Sequence, residues 1–240
     1  MCGRYASTRT PADLEADFNL RLADSTARLE ADYNVAPTDV APLVIGRSSP
    51  DAPSAVQREL LGATWGLVPS WAKDRSIGSK MINARSETVA DKPAFRKAFA
   101  RRRGLVPADG FYEWYAGPDH APKQPKQPFF ITAVDRSVLM LAGLYEFWRA
   151  SADDEWLVTF TILTTSAEDA EGRLHDRAPL LVHPEAFDAW LEPAPRDGAE
   201  LWEMVTPATP GPLEAYPVGR AVGNVANNGP ELIEPIPLSE

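Results

Sequence analysis

One cysteine serves the whole 240-residue chain, and it stands directly behind the initiator methionine in the opening Met1-Cys2-Gly3-Arg4-Tyr5. Methionine is normally removed when the next side chain is small, so the mature protein is expected to begin at Cys2. A terminal cysteine carries two nucleophiles on adjacent carbons, an α-amine and a thiol. The pair condenses with an aldehyde to an imine and then closes a five-membered thiazolidine ring. An internal cysteine cannot do this, because its nitrogen is locked in a peptide bond. An α-amine titrates near ~7.7–8.0 and a lysine amine near ~10.4, so about a tenth or more of the former is uncharged at pH 7. The thiol, near ~8.5, is about a few per cent thiolate before any help from its neighbours. The competing reading is a cysteine that merely fills space, since a free thiol packs well as a small hydrophobe.

Four further segments carry residue types suited to chemistry. Trp65-Gly-Leu-Val-Pro-Ser-Trp71 places two tryptophans around a Gly/Pro turn and is followed by Lys73, Arg75 and Lys80. Aromatic faces beside cations suit single-stranded nucleic acid, where bases stack and Lys or Arg hold phosphates; a tryptophan is also more usually a core residue. Asn83-Ala-Arg85-Ser86-Glu87 sets an amide beside a guanidinium, which could orient a substrate and clamp a phosphate through the planar fork. It reads equally as a turn with a surface salt bridge. Gly110-Phe-Tyr-Glu113-Trp114 holds a carboxylate within a run of aromatics. Burial there would raise its pKa toward the range useful for general acid–base work. The alternation puts Phe111, Glu113 and Tyr115 on one face and Tyr112 and Trp114 on the other, which leaves burial open. Glu146, in Leu144-Tyr-Glu-Phe-Trp148, is a similar carboxylate without a companion motif. Leu174-His175-Asp176-Arg177-Ala178-Pro179 places a histidine beside a carboxylate and a cation, where it could titrate near neutrality, or simply sit on the surface.

The net charge of −10 argues at first against nucleic acid, and its distribution reverses the argument. From Arg58 to Arg103 there are eleven Lys/Arg against four Asp/Glu, a net of +7, while the remaining residues carry −17. Such asymmetry points to a polyanion-binding face on an acidic body. A single cysteine excludes internal disulfides, cysteine-rich zinc sites and iron–sulfur clusters. His120, His175 and His183 are too scattered for a metal site, so neither metal nor cofactor is expected. No apolar leader or transmembrane-length run occurs, and position 2 is not glycine, so a cytoplasmic protein without a lipid anchor is expected, nucleoid-associated when bound to DNA.

The elements that must position these residues are short. Thr10-Pro11 with Leu14 and Phe18 predicts an N-capped helix with proline in its first turn. Strands are predicted at Val40–Ile45, Leu60–Leu67, Gly104–Pro107, Phe111–Tyr115, Phe129–Val134, Val138–Leu144, Trp156–Thr164, Leu180–Val182 and Pro217–Val222. Helices are predicted at Ala94–Arg102, Ser166–Arg173 and Pro184–Leu191. Strands at that spacing without regular intervening helices predict an α+β fold, an antiparallel and partly barrel-like sheet with peripheral helices. Pro118–Pro128 reads as an inter-strand loop. The chain is expected to form one domain over residues 1–240, with a Pro-rich tail from about residue 229 lying over the surface.

Taken together and in this order, the segments resemble the SOS response-associated peptidase family of abasic-site-processing proteins. The resemblance rests on Met1–Tyr5, Tyr33-Asn-Val-Ala-Pro-Thr38, Trp65–Trp71, Asn83–Glu87, Gly110–Trp114, His175–Pro179, Val222-Gly-Asn-Val225 and Pro230-Glu-Leu-Ile233. It implies that Cys2 forms a thiazolidine with the open-chain aldehyde of an abasic deoxyribose in single-stranded DNA. It implies catalytic roles for Cys2, Asn83, Glu113 and His175, and DNA contacts from Arg4, Asn34, Trp65, Trp71, Lys80 and Arg85. A monomer with no membrane partner is expected. One departure is Ala178, where methionine is expected after the His-x-Arg. Two rival readings stand beside it. An N-terminal-nucleophile cysteine peptidase or amidohydrolase would use Cys2 against an amide and would have no use for the basic segment. A noncatalytic single-strand-binding module would not need the thiol.

Overall fold

A computed structural model describes residues 2–48, 55–116, 124–166, 176–205 and 212–237. Its strands form two sheets. In the larger, β12 (Arg177–Pro179), β11 (Leu157–Ser166), β10 (Leu139–Trp148), β7 (Arg103–Ala108), β4 (Val40–Ser48), β5 (Val56–Trp65) and β2 (Arg21–Leu22) follow in that order, and β6 (Asn83–Arg85) pairs with β11. A parallel pairing of Thr159 with Thr64 and Phe160 with Trp65 joins β11 to β5 and bends this sheet into a partial ring. The smaller sheet runs β13 (Leu213–Pro217), β9 (Gln127–Ala133), β8 (Gly110–Tyr115), β1 (Tyr5–Ser7) and β3 (Asp32–Val35). Among the described residues four short α-helices lie outside the sheets: α1 (Pro11–Phe18), α2 (Arg96–Arg101), α3 (Phe187–Leu191) and α4 (Gly198–Val205). The α+β architecture expected from the strand spacing is the one observed.

Alternation along the strands sorts side chains into layers. On β10, Leu139, Leu141 and Tyr145 join one buried cluster, and Met140, Ala142 and Leu144 join another. The first cluster also takes Leu43 and Ile45 from β4, Leu61, Ala63 and Trp65 from β5, and Phe160 and Ile162 from β11. It is completed by Cys2, Tyr5, Val35, Phe111 and Ile131 on or beside the smaller sheet, so the two sheets share this core. The second cluster is covered by the helices, through Leu14, Phe99, Trp190 and Leu201. Each such large apolar side chain contributes about 1.5–3 kcal/mol on burial. A third cluster, with Ala6, Tyr112, Phe130, Val218, Val222 and Leu232, lies on the other face of the smaller sheet.

Local chemistry sets the element ends. Thr10 accepts from the Asp13 backbone amide while the Asp13 carboxylate accepts from Thr10, a reciprocal capping box with Pro11 in the first turn. Several expectations need correcting. The strand expected at Leu180–Val182 forms instead at Arg177–Pro179, and Leu181 makes only an isolated bridge to Leu141. Pro217–Val222 is the end of β13 followed by a 3-10 turn at Arg220–Gly223, because Val222 must turn inward to reach the third cluster. The described part of the tail, residues 229–237, lies over the surface as expected but is pinned at one point. Its 3-10 turn at Pro230–Ile233 buries Leu232 to 1% exposure. Ser166 closes β11, and the rest of the helix expected to Arg173 lies outside the described residues, as does most of the Pro118–Pro128 loop. No helix among the described residues is long and apolar enough to cross a membrane.

Candidate functional site

The first strand brings the amino terminus to the carboxylate. Tyr5 stands opposite Phe111 and Ala6 opposite Gly110, and the Tyr112 amide donates to the Arg4 carbonyl. Continued two residues outward from Tyr5, this antiparallel register sets Glu113 opposite Gly3, the neighbour of Cys2, whose thiol feels the Glu113 charge. Glu113 shares the strand face of Phe111, which belongs to the same buried cluster as Cys2. It is 4% exposed, and burial pushes its carboxyl up to about 7. Cys2 is fully buried; desolvation first, and then the neighbouring Glu113 charge, push its thiol well above the usual range. Among the described residues the Cys2 Sγ has one weak hydrogen bond, donated to the Arg4 carbonyl at 3.9 Å.

A third group arrives from the larger sheet. β6 runs parallel to β11, with Asn83 opposite Ile162. From there Asn83 Nδ2 donates to the Cys2 carbonyl at 2.7 Å, while its Oδ1 is enclosed and accepts no hydrogen bond among the described residues. An enclosed acceptor on the residue that already grips Cys2 is suited to receive an N–H or O–H in the reacting complex. The structure thus brings together Cys2, Asn83 and Glu113. His175 lies outside the described residues.

The two tryptophans of one motif have opposite fates. Trp65 is fully buried, stacked on Phe160 with ring centroids 6.4 Å apart and edge-on to Tyr5 at 5.2 Å. Its indole N–H donates to the Ile82 carbonyl at 2.9 Å, which anchors the chain immediately before Asn83. The expectation that Trp65 stacks on bases is therefore corrected: both its faces belong to the core. Gly66 follows with φ 129°, a left-handed conformation that suits glycine, and a Cβ there would meet the Gly78 carbonyl at 2.7 Å. Trp71, six residues on, is 56% exposed, and Lys73, Arg75, Lys80 and Arg85, which follow it in the chain, are exposed as well.

Arg4 and Asn34 also separate. Asn34 is 2% exposed and its Nδ2 faces the carbonyls of Val222, Asn224 and Asn227 at 2.9–3.3 Å, while its Oδ1 accepts from Arg4. A side chain saturated in this way is a bracket for the late Val222–Asn227 segment, which corrects its expected place in a DNA-contacting surface. Arg4 is half-buried and spends its NH1 on Asn34 and on the Val222 carbonyl, at 2.7 and 3.0 Å. The basic segment is thinned in the same manner. Arg103 is 1% exposed and donates to the carbonyls of Trp190, Phe99 and Ala100, while Arg58 and Arg102 pair with Asp188 and Glu146. Glu87, read as half of a local surface pair, in fact receives a bidentate grip from Arg177 at 2.6 and 3.0 Å, tying the Asn83 segment to the one that follows His175.

Two residues at the site were missed by sequence reasoning. Tyr5 passed as part of an opening motif, and Ile82 carried no signal, since its contribution is a backbone carbonyl.

A two-sheet α+β shell that holds a cysteine at the start of the chain, with an amide and a carboxyl converging on it, defines the class. The profile of the SOS response associated peptidase (SRAP) family matches residues 1–225, and the chain belongs to that family. It is similar to the abasic site processing protein YoqW of Bacillus subtilis, at 36% identity over 98% of this chain and 99% of the relative. It is also similar to YedK of Escherichia coli, at 32% over 98% and 100%, and to HMCES of Gallus gallus, at 30% over 99% and 79%. Both carry the same description of abasic site processing. Among solved structures, a phage-related protein from Bordetella bronchiseptica superposes with TM-score 0.67 at 32% identity, covering 90% of this chain and 94% of its own. A Bacteroides thetaiotaomicron protein reaches TM-score 0.79 at 24% identity over 98% and 100%, a likeness of fold.

Proposed function

We propose that this chain processes abasic sites in single-stranded DNA by forming a covalent thiazolidine between Cys2 and the lesion. Removal of Met1 frees the Cys2 amine. The exposed strip of Trp71, Lys73, Arg75, Lys80 and Arg85 holds the strand, bases on the indole and phosphates on the cations. His175 assists opening of the deoxyribose ring, a role resting on the family resemblance. The Glu113 carboxylate takes a proton from the Cys2 ammonium, and Asn83 orients the nitrogen. The amine adds to the C1′ aldehyde, water leaves, and an imine forms. The thiol then adds to C1′: a C–S bond forms, the imine π pair returns to nitrogen, and the thiol proton ends on that nitrogen by way of Glu113. An imine alone hydrolyses or leads to strand cleavage by β-elimination, and ring closure removes that risk.

The observation that carries this reading is the convergence on Cys2 of Asn83, hydrogen-bonded to its carbonyl, and of Glu113, whose carboxyl is poised near neutrality by burial. The descriptions of the relatives supply the substrate class. Purified, Met1-free protein is incubated with an abasic oligonucleotide, single- or double-stranded, and run on a denaturing gel. A heat- and detergent-resistant adduct that forms without borohydride and is absent with Cys2→Ala is expected. A processed protein that gives no adduct overturns the proposal. The family description names a peptidase, and this favours one further reading, self-removal of Met1. It predicts that Cys2→Ala retains Met1 when made in a cell-free system lacking aminopeptidase.

A further inference from the structure

Tyr5 leaves a polar atom where the core should have none. The residue is fully buried on β1, yet its phenolic Oη makes no hydrogen bond among the described residues. An enclosed hydroxyl without a partner is costly, whereas a phenylalanine of the same shape would fill the space without that penalty. The ring is held firmly. It lies edge-on to Trp65, and Trp65 is fixed by its own stack on Phe160 and by its hydrogen bond to Ile82. Tyr5 and Cys2 belong to the same buried cluster, three residues apart at the start of the chain. Beyond desolvation, the charge that most affects the Tyr5 phenol is that of Cys2, ahead of Asp32 and Asp39; hydroxyl and sulfur are not hydrogen-bonded to each other in this structure, so that contact belongs to the reacting complex. Among the described residues the thiol receives no donor and has only a weak outgoing bond of its own, while burial and Glu113 both disfavour the thiolate.

From this we infer that Tyr5 is a catalytic residue of ring closure, donating its hydroxyl hydrogen to the Cys2 sulfur as the thiolate forms. The inference rests on the thiazolidine reading above and deepens it. In the step concerned, the thiol gives its proton to the Glu113 carboxylate and the sulfur lone pair attacks C1′. The imine π electrons move to nitrogen, and Glu113 returns the proton there. Tyr5 neither gains nor loses a proton. It supplies a hydrogen bond that is stronger to the charged sulfur than to the neutral thiol, the property that accelerates a step instead of merely binding its reactant.

Tyr5→Phe separates the possibilities, because it keeps the ring against Trp65 and removes only the oxygen. A purely structural phenol predicts equal or higher thermal stability and unchanged chemistry. The inference predicts retained stability and an unchanged yield of borohydride-trapped imine. It also predicts a fall of about tenfold or more in the rate of the borohydride-independent adduct. The pH at which Cys2 is half-maximally alkylated by iodoacetamide should rise. 3-Fluorotyrosine at position 5, a more acidic phenol of nearly the same size, should lower that pH, which keeps the test valid should Tyr5→Phe fold poorly. Wild-type closure rate and alkylation profile in Tyr5→Phe, or no shift with the fluorinated residue, overturns the inference. An adduct absent from the wild-type protein would instead overturn the thiazolidine reading.

Discussion

Trp65 and Trp71 stand at the two ends of one seven-residue segment and face opposite worlds. The Trp65 end is dry: its indole braces Tyr5 and the carbonyl before Asn83, and through Asn83 it steadies Cys2. The Trp71 end is wet, an exposed ring followed in the chain by exposed cations. The contrast teaches how such a protein divides its labour. Acid–base groups need low dielectric to shift their pKa values, as Glu113 does, whereas phosphates and unstacked bases need groups that meet them at the surface. A Gly/Pro turn lets a single segment serve both regions.

The largest way to test the division is Trp65→Ala. Truncating a buried tryptophan should cost about 3–5 kcal/mol by chemical denaturation, with crosslinking lost alongside folding. The Glu113 region comes next. Its carboxyl sits at about 7 in the fold, against ~4.3 when unfolded. The native state therefore holds the proton longer, and stability should fall as the pH rises from about 4.5 to 7 and then level off. A displacement of this size corresponds to about 4 kcal/mol; Glu113→Gln should flatten that window in urea titrations and slow adduct formation most at and above neutral pH.

Here the sequence and the structure part company in an instructive way. Alternation correctly put Glu113 on the face of Phe111, but burial depended on a second sheet that local pattern does not reveal. The smaller sheet is covered on both sides, by the shared core and by the tail through Leu232. Nothing local distinguishes the two tryptophans either; which one turns inward is decided by the parallel pairing of Trp65 with Phe160 across almost a hundred residues. The resemblance put Asn34 among the DNA contacts, and local sequence could not show otherwise, because its partners are backbone carbonyls near the far end of the chain. By contrast the strands β4, β7, β8, β9 and β11, the Thr10 cap and the segments carrying Cys2, Asn83 and Glu113 were legible, since each is announced by period, capping chemistry or residue type within a short window.

Smaller effects sharpen the contrast. Asn34→Ala strips the bracket from Arg4 and three carbonyls and should cost about 1–3 kcal/mol of stability in thermal or urea unfolding. Trp71→Ala should change stability by no more than about 0.5 kcal/mol, yet weaken single-strand binding by about 1–3 kcal/mol in fluorescence titrations. Lys80→Gln and Arg85→Gln should each reduce the slope of log affinity against log salt by about 0.7 where the side chain meets a phosphate.

The presence of a single cysteine allows the central claim to be read directly. The adduct with an abasic single strand is denatured, treated with iodoacetamide and weighed by intact mass spectrometry. A thiazolidine consumes the sole thiol, so the adduct should take up no alkyl group while the unreacted protein takes up one. An adduct that is still alkylated would mean that the sulfur never closed the ring, and would contradict the account.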